Sequence, residues 1–173
     1  MINQKQLIKH VFYKAVEALG FDDGKEDNAV ALLAYTCSQE SEGGKYITQM
    51  GNGPARGIMQ IEPATYYDCI SNYLSYREHV IDSICGACEF DSLPSSEALT
   101  HNLMLSACIA RVQYRRSPPA IPEWNDLEGM WAIYKKYYNT HLGKATKEEF
   151  MHNAERVIEF LKWLKGLSAL FIY

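Results

Sequence analysis

Residues 25–41 carry the strongest constraint in the chain, because their apolar side chains recur at helical spacing and the run stops against Gly43-Gly44. Val30, Leu33 and Cys37 fall on one face of such a helix, and Glu40 extends the same line, whereas Glu42 continues the polar line of Tyr35 and Ser38. Of two acids close in sequence, only Glu40 is expected to turn towards the core. A carboxyl group backed by apolar side chains ionises less readily, so its pKa rises. A general acid working near neutral pH needs that property. A glutamate at a helix C-terminus also opposes the helix dipole, a mildly unfavourable placement that invites a functional reason. The plain alternative is a solvated glutamate in a last helical turn.

Beyond the two glycines, residues 46–50 read as a short extended piece, Gly51-Asn52-Gly53-Pro54 as a turn, and residues 56–61 as a second extended piece. Pro63 then occupies a first helical position, followed by Ala64-Thr65-Tyr66-Tyr67. The expected unit is helix, small hairpin, helix, with Glu40 at the lip of the first helix. Elsewhere the pattern is helical. Residues 4–19 place Leu7, Val11, Ala15 and Leu19 on one face before Gly20. Residues 63–90 read as helix in two pieces, with Tyr66, Tyr67, Tyr73 and Tyr76 dense among them. Residues 97–116 read as one long central helix, ended by Pro118-Pro119. Asp126 caps a helix bearing Met130, Trp131, Ile133, Tyr134 and Tyr137, and Thr146 with Glu149 fits a capping box opening the last helix. The apolar end of that helix is expected to pack on the domain; a membrane-surface role is the alternative. The fold expected is mostly α, one domain spanning residues 1–173 with a small β-hairpin beside the active-site helix.

Gln39-Glu40-Ser41, the run Gly57-Ile58-Met59-Gln60-Ile61 and Pro63-Ala64-Thr65 together resemble the signature of soluble lytic transglycosylases. The order is also similar to that of goose-type lysozymes and phage endolysins, members of the same lysozyme-like superfamily. The resemblance implies a lysozyme-like domain that cleaves the β-1,4 bond between N-acetylmuramic acid and N-acetylglucosamine in peptidoglycan. It implies Glu40 as the catalytic acid, with Gln60 and Met59 lining the sugar cleft. Tyr138-Asn139 looks like the family's Ala-Tyr-Asn motif, with Tyr137 in place of the Ala, which implies Tyr138 near the acid and both Tyr138 and Asn139 as substrate contacts. Two departures bear on the product. No hydroxyl residue stands near Gly51, where transglycosylases of this type carry a serine, and Glu62 follows where they tend to have Met. Goose-type lysozymes carry an acid at the place of Glu62, so Glu62 is a second catalytic candidate that would activate water; otherwise it is an acid favourable to the helix begun by Pro63. A non-catalytic wall-binding or virion structural domain on the same fold is the competing reading.

The net charge of −4 gives no general attraction to nucleic acid or to an anionic membrane, although Arg111, Arg115 and Arg116 are a candidate local basic patch. The N-terminal residues show no signal-peptide pattern and no stretch reads as a transmembrane segment. A chain of this kind is expected to be made in the host cytoplasm as a monomer. It would reach peptidoglycan glycan strands in the periplasm with help from a lysis or virion partner, as a bacteriophage lytic enzyme. Five cysteines leave at least one thiol unpaired in any intramolecular scheme. Cys37 and Cys108 read as core fillers. Cys85-Gly86-Ala87-Cys88, preceded by Cys69 and His79, has zinc-knuckle spacing but no second Cys-x-x-Cys, so reduced thiols and no metal or other cofactor are expected.

Overall fold

A computed structural model describes residues 2–21, 24–140 and 143–170. The fold is mostly α-helical, and no strand ladder forms among the described residues.

The N-terminal helical stretch is three consecutive segments: α1 (Gln4–Leu7), a π-helical turn (Ile8–Phe12) and α2 (Tyr13–Leu19). Asn3 starts it by accepting the Lys5 N–H at 3.0 Å, and Gly20 stops it in the left-handed conformation at φ 60°. The wider π turn rotates the register. Ile8 and Phe12 therefore join Leu7, Ala15, Val16 and Leu19 inside, while Val11, expected on the core face, is only half-buried.

Helix α3 (Glu26–Ser41) is the axis of the molecule. Every residue from Asn28 to Ser38 is buried, so the helix has no solvent face over that length. A helix buried on all sides belongs to the middle of a core. Helix α2 and the later helices at residues 103–115, 127–134 and 147–170 pack around it. Polar bonds fix it too: Tyr35 donates to the Trp124 carbonyl at 2.9 Å, and Asn28 accepts the Trp124 N–H at 2.9 Å.

Pro63 opens α4 (Pro63–Asn72) at its first turn, and α5 (Glu78–Cys88) follows after a 3-10 turn, Leu74–Tyr76. The stretch 97–116 is not one helix. A 3-10 turn, Ser96–Thr100, precedes α6 (Leu103–Arg115), because Asn102 interrupts the run and caps α6 by accepting the Leu105 N–H at 2.8 Å. Asp126 caps α7 (Leu127–Tyr134) through the Gly129 N–H, and α7 continues into a π turn, Lys135–Asn139. Thr146 and Glu149 exchange both bonds of a capping box at the start of α8 (Lys147–Leu170). Phe150, Ala154, Val157 and Leu161 of α8 bury against the core, and the Lys5 ammonium lies 4.1 Å from the Trp163 ring. Residues 171–173 of the expected apolar tail lie outside the described residues. No helix among the described residues is long and apolar enough to cross a membrane.

Between α3 and α4 the chain forms a loop with two isolated antiparallel bridges, Thr48 with Arg56 and Arg56 with Ile61. The second closes a tight turn over Gly57–Gln60, with Arg56 and Ile61 exchanging N–H to carbonyl bonds of 3.0 and 2.9 Å. The arginines expected as a surface patch are engaged within the fold, Arg111 and Arg115 both lying against the Phe21 ring. Arg111 is buried beside Phe21, and Arg116 is paired with Asp68 at 2.6 Å while donating to the Cys69 sulfur.

Candidate active site

Glu40 lies in the last turn of α3, half-buried. The Tyr134 hydroxyl, from the end of α7, donates to its Oε1 at 2.6 Å. The Asn139 side chain also hydrogen-bonds the carboxyl group. Burial raises the Glu40 pKa; the bonds from Tyr134 and Asn139 oppose this without cancelling it. Burial, and next the nearby Glu40 charge, push the Tyr134 phenol far above its ordinary range, so Tyr134 remains a proton-bearing donor. Glu42 is placed differently. It sits outside with φ 50° as the α3 C-cap and pairs with Lys45 at 2.7 Å. The separation of the two acids by helical position is thus realised.

Asn139 is oriented by its neighbours. The Lys135 ammonium donates to Asn139 Oδ1 at 2.8 Å and to the carbonyls of Gly143 and Ala145 at 2.8 and 3.1 Å. An ammonium group only donates, so Oδ1 is taken and the amide NH₂ is the end left for Glu40.

The wall behind the acid is aromatic. Tyr134 stacks on Phe150 with centroids 5.2 Å apart, and Tyr114 stacks on Tyr138 at the same 5.2 Å. The Tyr114 hydroxyl lies 2.6 Å from Thr36 Oγ1, both groups fully enclosed. Opposite, the turn at residues 57–61 is pinned from three helices. Tyr138 donates to the Met59 carbonyl at 2.7 Å, Ser41 donates to the Ile58 carbonyl at 2.6 Å, and Ser106 accepts the Met59 N–H at 3.4 Å. Ser41 also accepts the Gly44 N–H at 2.9 Å, so one buried hydroxyl ties the end of α3 to both following turns. Ser41→Ala leaves the Ile58 carbonyl and the Gly44 N–H without that partner in a dry site, and is expected to cost about 1–3 kcal/mol. Urea denaturation of the two proteins measures it.

The sequence-derived residues divide. Glu40 and Asn139 come together, although the resemblance implies Asn139 only as a substrate contact. Tyr138 approaches, but its hydroxyl binds the Met59 carbonyl, and the phenol on the acid is Tyr134, four residues earlier. Tyr134 was readable only as a core position of α7; its spacing from Tyr138 places both on one helix face, which is the signal available for it. Met59 is fully buried, and its N–H and carbonyl are taken by Ser106 and Tyr138, a correction to its expected role in lining a cleft. Gln60 adopts φ 47°, and its Nε2 donates to the Gly57 carbonyl at 2.9 Å, which leaves Oε1 as its spare polar atom. Glu62 is exposed at the N-cap of α4 without a side-chain cap bond, and no hydrogen bond joins it to Glu40.

Tyr134→Phe removes a bond that favours the ionised carboxylate, so the Glu40 pKa moves higher still. If Glu40 is a general acid, the alkaline limb of its pH–rate profile shifts upward. The loss of orientation should cost between roughly tenfold and a hundredfold in rate. Muropeptide release measured across pH reads both effects.

All five cysteines are free and buried, and no group of three or more His, Cys, Asp or Glu is gathered to hold a metal ion among the described residues. Two cavities, of about 520 and 390 Å³, lie elsewhere on the surface, and neither is lined by Glu40. The helix end that carries the acid is tied to the loop at residues 57–61 through Ser41, the next residue, which bonds the Ile58 carbonyl. No protein-family model matches the chain, and neither a curated protein nor a solved structure matches it.

Proposed function

We propose that this protein is a peptidoglycan-cleaving glycosidase of the lysozyme-like type, with Glu40 as its general acid and the bridged loop at residues 46–61 as the counterpart of the small hairpin. The observation that carries the reading is Glu40 itself: a half-buried carboxyl with a raised pKa, held by Tyr134 and Asn139, beside a turn pinned by Tyr138 and Ser41.

In the first step the Glu40 proton passes to the glycosidic oxygen as the C1–O bond breaks, leaving an oxocarbenium-like sugar and a Glu40 carboxylate. Tyr134 and Asn139 hold that carboxylate through hydrogen bonds strengthened by its charge. No hydrogen bond joins a second carboxylate to Glu40, and ring closure is the version that needs none. Glu40, now a base, takes the proton from the muramoyl C6 hydroxyl as its oxygen bonds C1, giving a 1,6-anhydro product. Glu62 then serves the start of α4, where a negative charge suits the helix dipole. Delivery to the wall by a lysis or virion partner belongs to the same proposal.

Mass spectrometry of muropeptides released from purified peptidoglycan tests the reading. Products lighter by one water support ring closure. Reducing-end products of ordinary mass reject it in favour of hydrolysis and make Glu62 the acid to substitute. No release from several kinds of wall rejects the enzyme and leaves the non-catalytic binding domain.

A further inference from the structure

Helix α5 packs against α6, and two cysteines meet where they touch. Cys88 is the last residue of α5, and Cys108 stands in the middle of α6. Both are buried in the core, and their thiols hydrogen-bond each other. Asn102, the cap of α6, holds the helices in this register by donating to the Cys88 carbonyl at 3.3 Å. The Cys108 thiol donating to the Cys88 sulfur lowers the Cys88 pKa, against the effect of burial, and raises that of Cys108. Cys85, one turn earlier in α5, is the partner that the Cys-x-x-Cys spacing suggests. Helical positions three apart keep their Cβ atoms about 5–6 Å apart, beyond the roughly 3.5–4.5 Å that a disulfide allows. Cys88 and Cys108 are free of that spacing, since they sit on separate helices with their sulfurs already in contact. Glu89, which follows Cys88, takes the left-handed conformation at φ 60°, a strained one for a glutamate. A strained cap favours local opening at that helix end, and opening there bares the Cys88 sulfur.

We propose that Cys88 and Cys108 are a redox pair, which a small-molecule disulfide oxidises to a reversible bond that staples α5 to α6. The Cys88 thiolate attacks one sulfur of the oxidant, whose S–S bond breaks; the other half leaves and takes up the proton that Cys88 lost. Cys108 then gives up its proton and attacks the Cys88 sulfur of the mixed disulfide, releasing the second half as a thiol. Two protein thiols are oxidised, and one small disulfide is reduced to two thiols. The loop closed by the bond, residues 88–108, carries groups that hold the turn at residues 57–61. Ser96 accepts from the Arg56 guanidinium at 3.1 Å, Glu97 pairs with it at 2.6 Å, and Ser106 accepts the Met59 N–H. Oxidation therefore stiffens the support of that turn. A reducing compartment keeps the pair as thiols, and an oxidising one closes it. None of this depends on the glycosidase reading.

Glutathione disulfide is the probe, added to the reduced full chain and followed by intact mass, peptide mapping and thermal melting. The expected product is lighter by two hydrogens, has Cys88 linked to Cys108, and returns to the starting mass in dithiothreitol. Its melting midpoint should lie roughly 5–10 °C above that of the reduced protein, the effect of closing a loop of this length. Cys85→Ala should keep both the mass change and the shift, whereas Cys88→Ala and Cys108→Ala should lose both. Each shift is read between the oxidised and reduced forms of one protein, so a variant's own loss of stability cancels. No reaction of the folded protein overturns the proposal, as does a glutathione adduct that persists without an internal bond. A bond between another pair of cysteines, or a midpoint unchanged or lowered by oxidation, overturns it equally.

Discussion

Glu40→Gln is expected to abolish muropeptide release, with a fall of roughly 10²–10⁴ in rate, while making the folded protein more stable at neutral pH. Both results come from one fact, the half-buried carboxyl whose pKa burial has raised. Glutamine keeps the size and a carbonyl oxygen for the Tyr134 hydroxyl, but it has no proton to give the leaving oxygen. The sign of the stability change follows from proton linkage. The folded state holds the Glu40 proton more tightly than the unfolded chain, where a glutamate titrates near 4.3. The stabilisation from that tighter hold is complete below the unfolded pKa and is lost as pH rises through the folded value. The substituted glutamine never ionises and escapes this loss. The variant should therefore melt higher than wild type at pH 7, and the gap should close as the pH falls towards 4. Thermal melts at several pH values, set beside the muropeptide assay, read both halves. A Glu40→Gln protein that is inactive yet less stable at pH 7 than wild type would mean that Glu40 sits in its site at no electrostatic disadvantage, which removes the ground for calling it an acid.

Features written in local chemistry were legible in the sequence. Gly20 ends its helix in the left-handed conformation, Pro63 opens α4, Asp126 caps α7, and Thr146 with Glu149 forms the box at the start of α8. Each depends on residues within one turn of each other. Glu40 was legible for the same reason, since its orientation follows from helical periodicity along α3. Registers set by packing were not. The π turn at Ile8–Phe12 moves Val11 off the core face, and Tyr134 rather than Tyr138 takes the bond to the acid at the entry to a second π turn. A π turn carries no residue signature that a period of 3.6 would reveal. Arg111 read as surface because arginine usually is; here it is buried among helices that meet only in three dimensions. Asn102 did carry its signal, a capping side chain in the middle of an apolar run, but the periodicity on either side concealed it.

Gly57→Ala is expected to unfold the loop at residues 46–61, although the change adds one methyl group and no charge. Gly57 has φ +71°, a conformation that L side chains enter only with strain. A Cβ built there would overlap the Leu99 carbonyl oxygen and stand 2.6 Å from Ser106 Oγ. The carbonyl belongs to backbone held in the 3-10 turn before α6, and Ser106 is fully buried, so neither can withdraw cheaply. Left-handed strain and overpacking together should cost roughly 2–5 kcal/mol. The effect on function is specific as well. Ser106 also accepts the Met59 N–H, and the Met59 carbonyl is the acceptor for Tyr138, so pushing Ser106 aside loosens the turn that is bonded to Tyr138 and to Ser41 next to Glu40. Activity should fall further than the folded fraction does. Gly51→Ala is the control: φ there is +76°, with open space around the added carbon, so it bears the backbone strain alone. Its loss of stability should stay within about 1–2 kcal/mol, with activity per folded molecule unchanged. Chemical denaturation of the two variants, paired with muropeptide release per folded protein, separates strain from overlap. Equal losses in both would mean that the contact with Leu99 and Ser106 does not hold the site.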